Sequence, residues 1–192
     1  MERGDREEAE AARENFMTLR AVFLDRDGVL NRALVRDGKP YAPGEVSDFE
    51  ILPGAPEGCR RLKSAGFLLI VVTNQPEIAR GTQRIEALEA MHTLLRARVP
   101  LDDIRVCSHD EEDDCACRKP RPGLLLDAAR EWRIDLHQSF MVGDRWKDID
   151  AGHAAGCRTL LIDRGYRESL RTKPDYRVDS LEEAVECILS LR

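Results

Sequence analysis

Short apolar runs alternate along the chain with amphipathic stretches. Ala21 to Asp25 (AVFLD), Phe67 to Thr73 (FLLIVVT), Ile104 to Cys107, Ser139 to Val142 and Thr159 to Ile162 are apolar and of strand length. The second is continuous and partly β-branched, as a strand buried on both faces would be. Between and after them, Ala55–Ala65, Thr82–Arg98, Pro122–Trp132, Asp148–Ala155 and Leu181–Leu191 are expected to be helices. Gly66 and Gly156 stand where C-cap glycines would, Pro100 stops one helix, and Pro122 suits a first turn. Asn31 to Pro53, with Gly38, Pro40, Pro43, Gly44 and Pro53, reads as loop. Strands alternating with helices imply a mostly parallel sheet covered on both faces, a Rossmann-like three-layer α/β/α sandwich of the α/β class. Ligands of such sheets bind beyond the carboxyl ends of the strands.

A length of 192 residues fits one domain with a real core. Residues 1–18, rich in Glu, Arg and Ala, are expected to be a charged extension, either a solvated helix or a disordered tail; 19–192 would be the domain. The net charge of −6 suits non-specific nucleic-acid binding poorly, while leaving small anionic substrates open. No apolar run approaches the roughly 20 residues of a membrane span. The N-terminus lacks the apolar core of a signal peptide, so a cytoplasmic protein, expected to be monomeric, is the reading.

Three expected strands end in polar residues that would share one sheet edge. They are Asp25-Arg26-Asp27-Gly28, Thr73-Asn74-Gln75, and Gly143-Asp144 with Asp148 following. Arg118-Lys119-Pro120 brings cations ahead of a helix. Each piece has a bland reading: a turn, a helix cap or solvated charge. Jointly they make a coherent site. Phosphoryl transfer asks for positioning and charge neutralisation. A carboxylate can be its nucleophile, and a second carboxyl can move protons. Mg²⁺ takes hard oxygen ligands such as Asp25 and Asp144 and relieves repulsion between carboxylate and phosphate. Thr73 and the backbone around Asn74 can hold phosphate oxygens, and Lys119 adds a positive charge.

The chain has six cysteines: Cys59, Cys107, Cys115, Cys117, Cys157 and Cys187. Cys107, His109, Cys115 and Cys117 offer thiolates and an imidazole at spacings that suit a closed, structural Zn²⁺ site. Unrelated reduced thiols in a charged loop, or a redox dithiol, are the other readings. A folded zinc loop would position Arg118 and Lys119. Asp110 to Asp114 (DEEDD) reads as solvated, and Cys59, Cys157 and Cys187 as buried thiols.

DRDGVLN (25–31), TNQ (73–75), RKP (118–120) and GDRWKD (143–148) resemble, in order, the four motifs of the haloacid dehalogenase superfamily. The resemblance implies that Asp25 is the nucleophile and an Mg²⁺ ligand. Asp27 would be the acid/base and reach Mg²⁺ through its main-chain carbonyl. Thr73 and Lys119 would stabilise the phosphoryl group, Asp144 would complete the metal site, and Asp148 would support it. An Asp at position 27 points to the superfamily's phosphatases rather than its dehalogenases. The zinc loop ahead of Arg118 is similar to two groups of these, acting on a heptose 1,7-bisphosphate (first expectation, with removal of the 7-phosphate) and on histidinol phosphate. The segments from Asn74 to Gly81 and Arg118 to Gly123 look closer to the heptose group. Arg145 and the short His109–Cys115 gap look like the histidinol group.

Neither the loop after Asp25 nor the segment after Thr73 has room for a separate cap domain. Substrate contacts are therefore expected from Arg26, from Ala33, Leu34, Val35 and Arg36 of the first loop, and from Asn74, Gln75, Pro76, Arg118 and Arg145. Arg118 would meet a second phosphate or a sugar hydroxyl, or else brace the zinc loop. A phosphate-ligand binding protein without turnover is the competing class; it fits less well because both Asp25 and Asp27 are present.

Overall fold

Strand β1 (Arg20–Leu24) divides the molecule into layers. Successive side chains of a strand leave on opposite faces. Val22 and Leu24 pack on one face with α1 (Ala55–Ser64), α2 (Ile85–Arg98) and α5 (Leu181–Ser190). Ala21 and Phe23 pack on the other with α3 (Gly123–Trp132) and α4 (Trp146–Ala155). The neighbouring β4 (Phe67–Asn74) repeats the division, with Leu69 and Val71 on the first face and Ile70 and Val72 on the second. A strand buried on both faces must be apolar throughout, which is why these runs read as continuous rather than alternating.

The structure, a computed structural model, describes residues 18–191. The extension expected over residues 1–18 therefore lies outside the described residues except for Thr18. Six parallel strands stand in the order β5 (Asp103–Cys107), β4, β1, β6 (Phe140–Gly143), β7 (Arg158–Ile162), β8 (Tyr176–Val178). The expected α/β sandwich is thus present. β1 lies between β4 and β6, so Asp25 and Asp144, just past β1 and β6, and Thr73, next to the end of β4 at Asn74, stand at one edge. No helix among the described residues is long and apolar enough to cross a membrane.

The structure corrects the loop expected over 31–53. It contains a hairpin of β2 (Leu34–Arg36) and β3 (Lys39–Tyr41), joined by Asp37 and Gly38, both at positive φ. Asp-Gly is a strong signal for such a two-residue turn. The strands are three residues long and largely exposed, so no hydrophobic pattern accompanies it. β8, equally short, was also missing from the pattern. Helix α4 begins at Trp146 rather than Asp148, because the Asp148 carboxylate accepts from the Arg145 backbone N–H at 3.0 Å and caps the first turn. Helix α2 begins at Ile85 rather than Thr82.

Candidate active site

Asp25 sits just past β1, and its backbone N–H donates to the Val142 carbonyl of the neighbouring strand at 2.9 Å. The Lys119 ammonium lies 2.9 Å from Asp25 Oδ1 and 2.6 Å from Asp148 Oδ1, and donates to the Val72 carbonyl at 2.7 Å. All three ammonium donors are therefore engaged, in a side chain only 2% exposed. Asn74 explains how Lys119 is held. Its amide donates to the Lys119 carbonyl at 2.9 Å and accepts from the Lys119 N–H at 3.1 Å. Gln75 is buried and donates to both Thr73 Oγ1 (2.9 Å) and Asp27 Oδ2 (2.8 Å).

The carboxylates of Asp25, Asp144 and Asp148 are all buried, with oxygens within 4.8 Å of one another. Among the described residues, neither oxygen of Asp144 has a hydrogen bond of good geometry, although the Tyr166 hydroxyl stands beside it. Gly28 makes this approach possible. A Cβ there would lie 1.8 Å from Asp144 Oδ2, and its φ of +86° suits glycine alone.

Burial pushes Asp25 up to about 6 against the pull of Lys119, with Asp148 and Asp27 adding to the rise. Burial, then Asp25 and Asp148, hold Asp144 well above the ordinary carboxylate range. Burial opposes the charge on Lys119, but Asp148 and Asp25 outweigh it and keep the amine above the ordinary lysine value. Among the described residues, three carboxylates thus face one ammonium, and Asp144 makes no ion-pair contact, with only the more distant pull of Arg145. An all-oxygen donor set with an excess of negative charge fits a hard divalent cation such as Mg²⁺. The Asp27 side chain stands apart from this group and accepts from Arg26, Asn31 and Gln75.

A cavity of about 240 Å³ opens over these residues. Asp25, Asp27, Thr73, Asn74, Pro76, Lys119, Arg118 and Arg145 all line it. The remaining expected contacts are corrected. The hairpin turns the chain so that Lys39, Pro40 and Tyr41 of β3, with Ala42, face the cavity in place of Ala33 to Arg36. Gln75 lies behind Thr73 and Asp27. Arg26 is fully buried and does not line the cavity; its side chain bonds to Asp27 and to His92 of α2. Glu77, Arg80, Glu111 and Lys147 line the cavity without having been expected. Arg145 is paired with Glu168.

The acidic run at 110–114 is not merely solvated. Asp110 takes a bidentate bond from Arg80 (2.6 Å each), and Glu111 pairs with Lys147 at 2.9 Å. Arg118 donates to the His109 carbonyl at 3.1 Å while it lines the cavity, so it both braces the loop and forms part of the cavity wall. In the same loop, Cys107, His109, Cys115 and Cys117 bring their ligand atoms together, with neighbouring contacts of 3.2 to 3.6 Å. A tetrahedron of Zn–S bonds near 2.3 Å has edges of about 3.8 Å, so the donor set and its size fit zinc. Gly123, at the start of α3, donates to the Ala116 carbonyl at 3.1 Å, and a Cβ there would lie 2.3 Å from that oxygen. The loop is thereby anchored where α3 begins. Cys59 and Cys157 are buried thiols as expected, and Cys187 is partly exposed.

Residues 116–184 match the HAD-hydrolase-like family. A D-glycero-beta-D-manno-heptose-1,7-bisphosphate 7-phosphatase of Pasteurella multocida is 38% identical over 90% of this chain and 98% of its own. A protein of the same name from Yersinia pestis is 40% identical over 75% of this chain and 80% of its own. Among solved structures, D,D-heptose 1,7-bisphosphate phosphatase from B. bronchiseptica, complexed with magnesium and phosphate, superposes with a TM-score of 0.78 at 30% identity, covering 91% of this chain and all of that one. The fold is that of a haloacid dehalogenase superfamily hydrolase. Within it, the chain belongs to the family of the heptose-1,7-bisphosphate 7-phosphatases to which it is similar.

Proposed function

We propose that the protein removes the 7-phosphate of D-glycero-D-manno-heptose 1,7-bisphosphate through an aspartyl-phosphate on Asp25. The observation that carries this reading is Asp25 and Asp27 lining one cavity together, with Lys119 on Asp25 and donors only on Asp27. Asp25 Oδ forms a bond to phosphorus as the ester P–O bond breaks. The electron pair goes to the leaving oxygen, which takes the proton of Asp27. In the second step Asp27 takes a proton from water as that water attacks phosphorus. Asp25 departs as a carboxylate and inorganic phosphate is released. Lys119 and the Thr73 hydroxyl hold charge on the phosphoryl oxygens in both steps.

Mg²⁺ would be held by Asp25, Asp144 and the main-chain carbonyl of Asp27, with Asp148 beside it, and would offset the repulsion between Asp25 and phosphate. Zn²⁺ in the Cys107–His109–Cys115–Cys117 set would hold the loop that carries Arg118. Arg118, Arg145 and Lys147 on the cavity wall suit the second phosphate of a bisphosphate, whose oxygens a guanidinium can engage in pairs. The relatives' names favour the heptose substrate over histidinol phosphate. Phosphate release would be compared on heptose 1,7-bisphosphate, histidinol phosphate and monophosphorylated sugars. The expected result is highest kcat/KM on the heptose bisphosphate. A preference for histidinol phosphate would overturn the substrate assignment, and tight binding without turnover in Mg²⁺ would overturn the enzyme.

A further inference from the structure

Arg26 stands between the two reactive aspartates in sequence, yet its side chain has no exposed surface and does not line the cavity. Both Nε and Nη2 reach both oxygens of Asp27, at 3.2 Å and 3.0 Å. The remaining terminal nitrogen, Nη1, lies 3.2 Å from Nε2 of His92, a nearly buried residue of α2. The guanidinium carbon lies 5.7 Å from the centre of the Phe49 ring. Every guanidinium nitrogen of Arg26 is therefore committed.

Arginine can only donate, so His92 Nε2 accepts, and the ring is the neutral tautomer with its proton on Nδ1. Burial, then the Arg26 and Arg96 charges, keep His92 neutral by lowering it to about 4. The other partners of Asp27, the side-chain amide nitrogens of Asn31 and Gln75, are also donors. Among the described residues, no group bonded to Asp27 can accept from it, so a proton carried by Asp27 is directed to the cavity that it lines.

We infer that Arg26 and His92 form a buried clamp that fixes the plane of the Asp27 carboxyl, making them positioning residues for proton transfer to the leaving oxygen. The inference rests on Asp27 being the acid/base. A bidentate guanidinium constrains both oxygens at once, and a carboxyl free to rotate would spend less time aligned with the ester oxygen. His92 completes the clamp by anchoring the far end of Arg26 to α2. The position expected from sequence to touch substrate thus acts from behind the site.

The test is a single-turnover measurement of leaving-group release on two substrates. One is a sugar phosphate, whose alkoxide must be protonated as it leaves. The other is p-nitrophenyl phosphate, whose leaving group is stable as an anion. His92→Leu removes the acceptor, His92→Gln supplies another neutral one, and Arg26→Gln removes the fork. We expect His92→Leu and Arg26→Gln to slow release from the sugar phosphate on the order of 10- to 100-fold with little change in KM, within the span of general acid catalysis. Release of p-nitrophenol should fall much less, and His92→Gln should recover most of the loss. Equal losses on the two substrates, or a raised KM with unchanged kcat, would overturn the clamp. Should Arg26→Gln fail to fold, as its circular dichroism would show, the His92 pair decides alone. Asp27→Asn is the reference. If it lacks the leaving-group dependence, the acid/base assignment fails. If it alone shows that dependence, only the clamp fails.

Discussion

Two groups of potential metal ligands flank Lys119, and they are built on opposite plans. Asp25, Asp144 and Asp148 are buried and positioned by the ends of β1 and β6 and the first turn of α4. Their backbone is fixed by the sheet, so their geometry does not wait for an ion, while their charges repel. Cys107, His109, Cys115 and Cys117 lie mostly in a loop whose only regular feature is a short 3-10 turn at Glu111–Asp113. Their charges demand little, and apart from bound metal the loop's shape rests on partly exposed ion pairs such as Arg80–Asp110 and Glu111–Lys147, which contribute little each. The difference teaches where each ion would act: at the carboxylates on charge, at the thiols on folding.

Asp25→Asn should give the largest effect. Turnover should fall on the order of 10³-fold or more, while zinc content and fold stay as they were. Inductively coupled plasma mass spectrometry and phosphate release would check both halves; loss of zinc would mean that the two sites are not independent. Asp27→Asn should cost roughly 10²- to 10⁴-fold in kcat and leave Mg²⁺ affinity within a few-fold, because only its main-chain carbonyl is assigned to the ion. A collapse of Mg²⁺ affinity in titration calorimetry would show that its side chain shapes the metal site.

Removing zinc with a chelator should lower the melting temperature by about 5–10 °C, the size expected when a few kcal/mol are lost from a domain of this length. Removing Mg²⁺ should lower it less, because the sheet holds the carboxylates in place whether or not the ion is bound. Asp144→Asn sharpens the contrast: it should abolish Mg²⁺ binding yet stabilise the metal-free protein by about 1 kcal/mol, because a carboxyl whose ionisation is opposed by burial and by Asp25 and Asp148 is removed. Calorimetry that finds the variant destabilised would mean that the acidic group is not strained.

The smallest effect is on pH dependence. Asp25 is raised from 3.8 to about 6 in the folded, metal-free protein. A raised carboxyl adds stability below its unfolded value, and this is lost as pH rises through about 6. Mg²⁺ needs Asp25 and Asp144 ionised, and both are raised, so its affinity should weaken as pH falls by up to about tenfold per pH unit for each carboxyl that must lose its proton, with protons released on binding. Calorimetry in two buffers of different ionisation enthalpy would detect the protons. The thiol loop should keep its zinc over the same narrow window, down to about pH 5.5.

Much of the carboxylate site was legible in the sequence, because apolar strands ending in Asp, Thr and Gly-Asp leave little freedom once the sheet is parallel. The thiol site was legible from donor types and spacing alone. What escaped lay in pieces too short or too exposed to carry a hydrophobic period. The β2–β3 hairpin is one, although Asp37-Gly38 announced its turn. Asp110 and Glu111 are another, since a charge run does not reveal that Arg80 and Lys147 will meet it across the cavity. Arg26 was misplaced for a different reason. A guanidinium between two aspartates at a strand end suggests substrate, and only its contact with His92 of α2 shows where it goes instead.

The central claim is that Asp25 becomes phosphorylated during turnover. The protein mixed with heptose 1,7-bisphosphate and Mg²⁺, acid-quenched within one turnover and digested, would be analysed by mass spectrometry. The account predicts one added phosphoryl group on the peptide bearing Asp25, absent from Asp25→Asn. Phosphate release that continues in Asp25→Asn, or a phosphoryl group on any other residue, would contradict it.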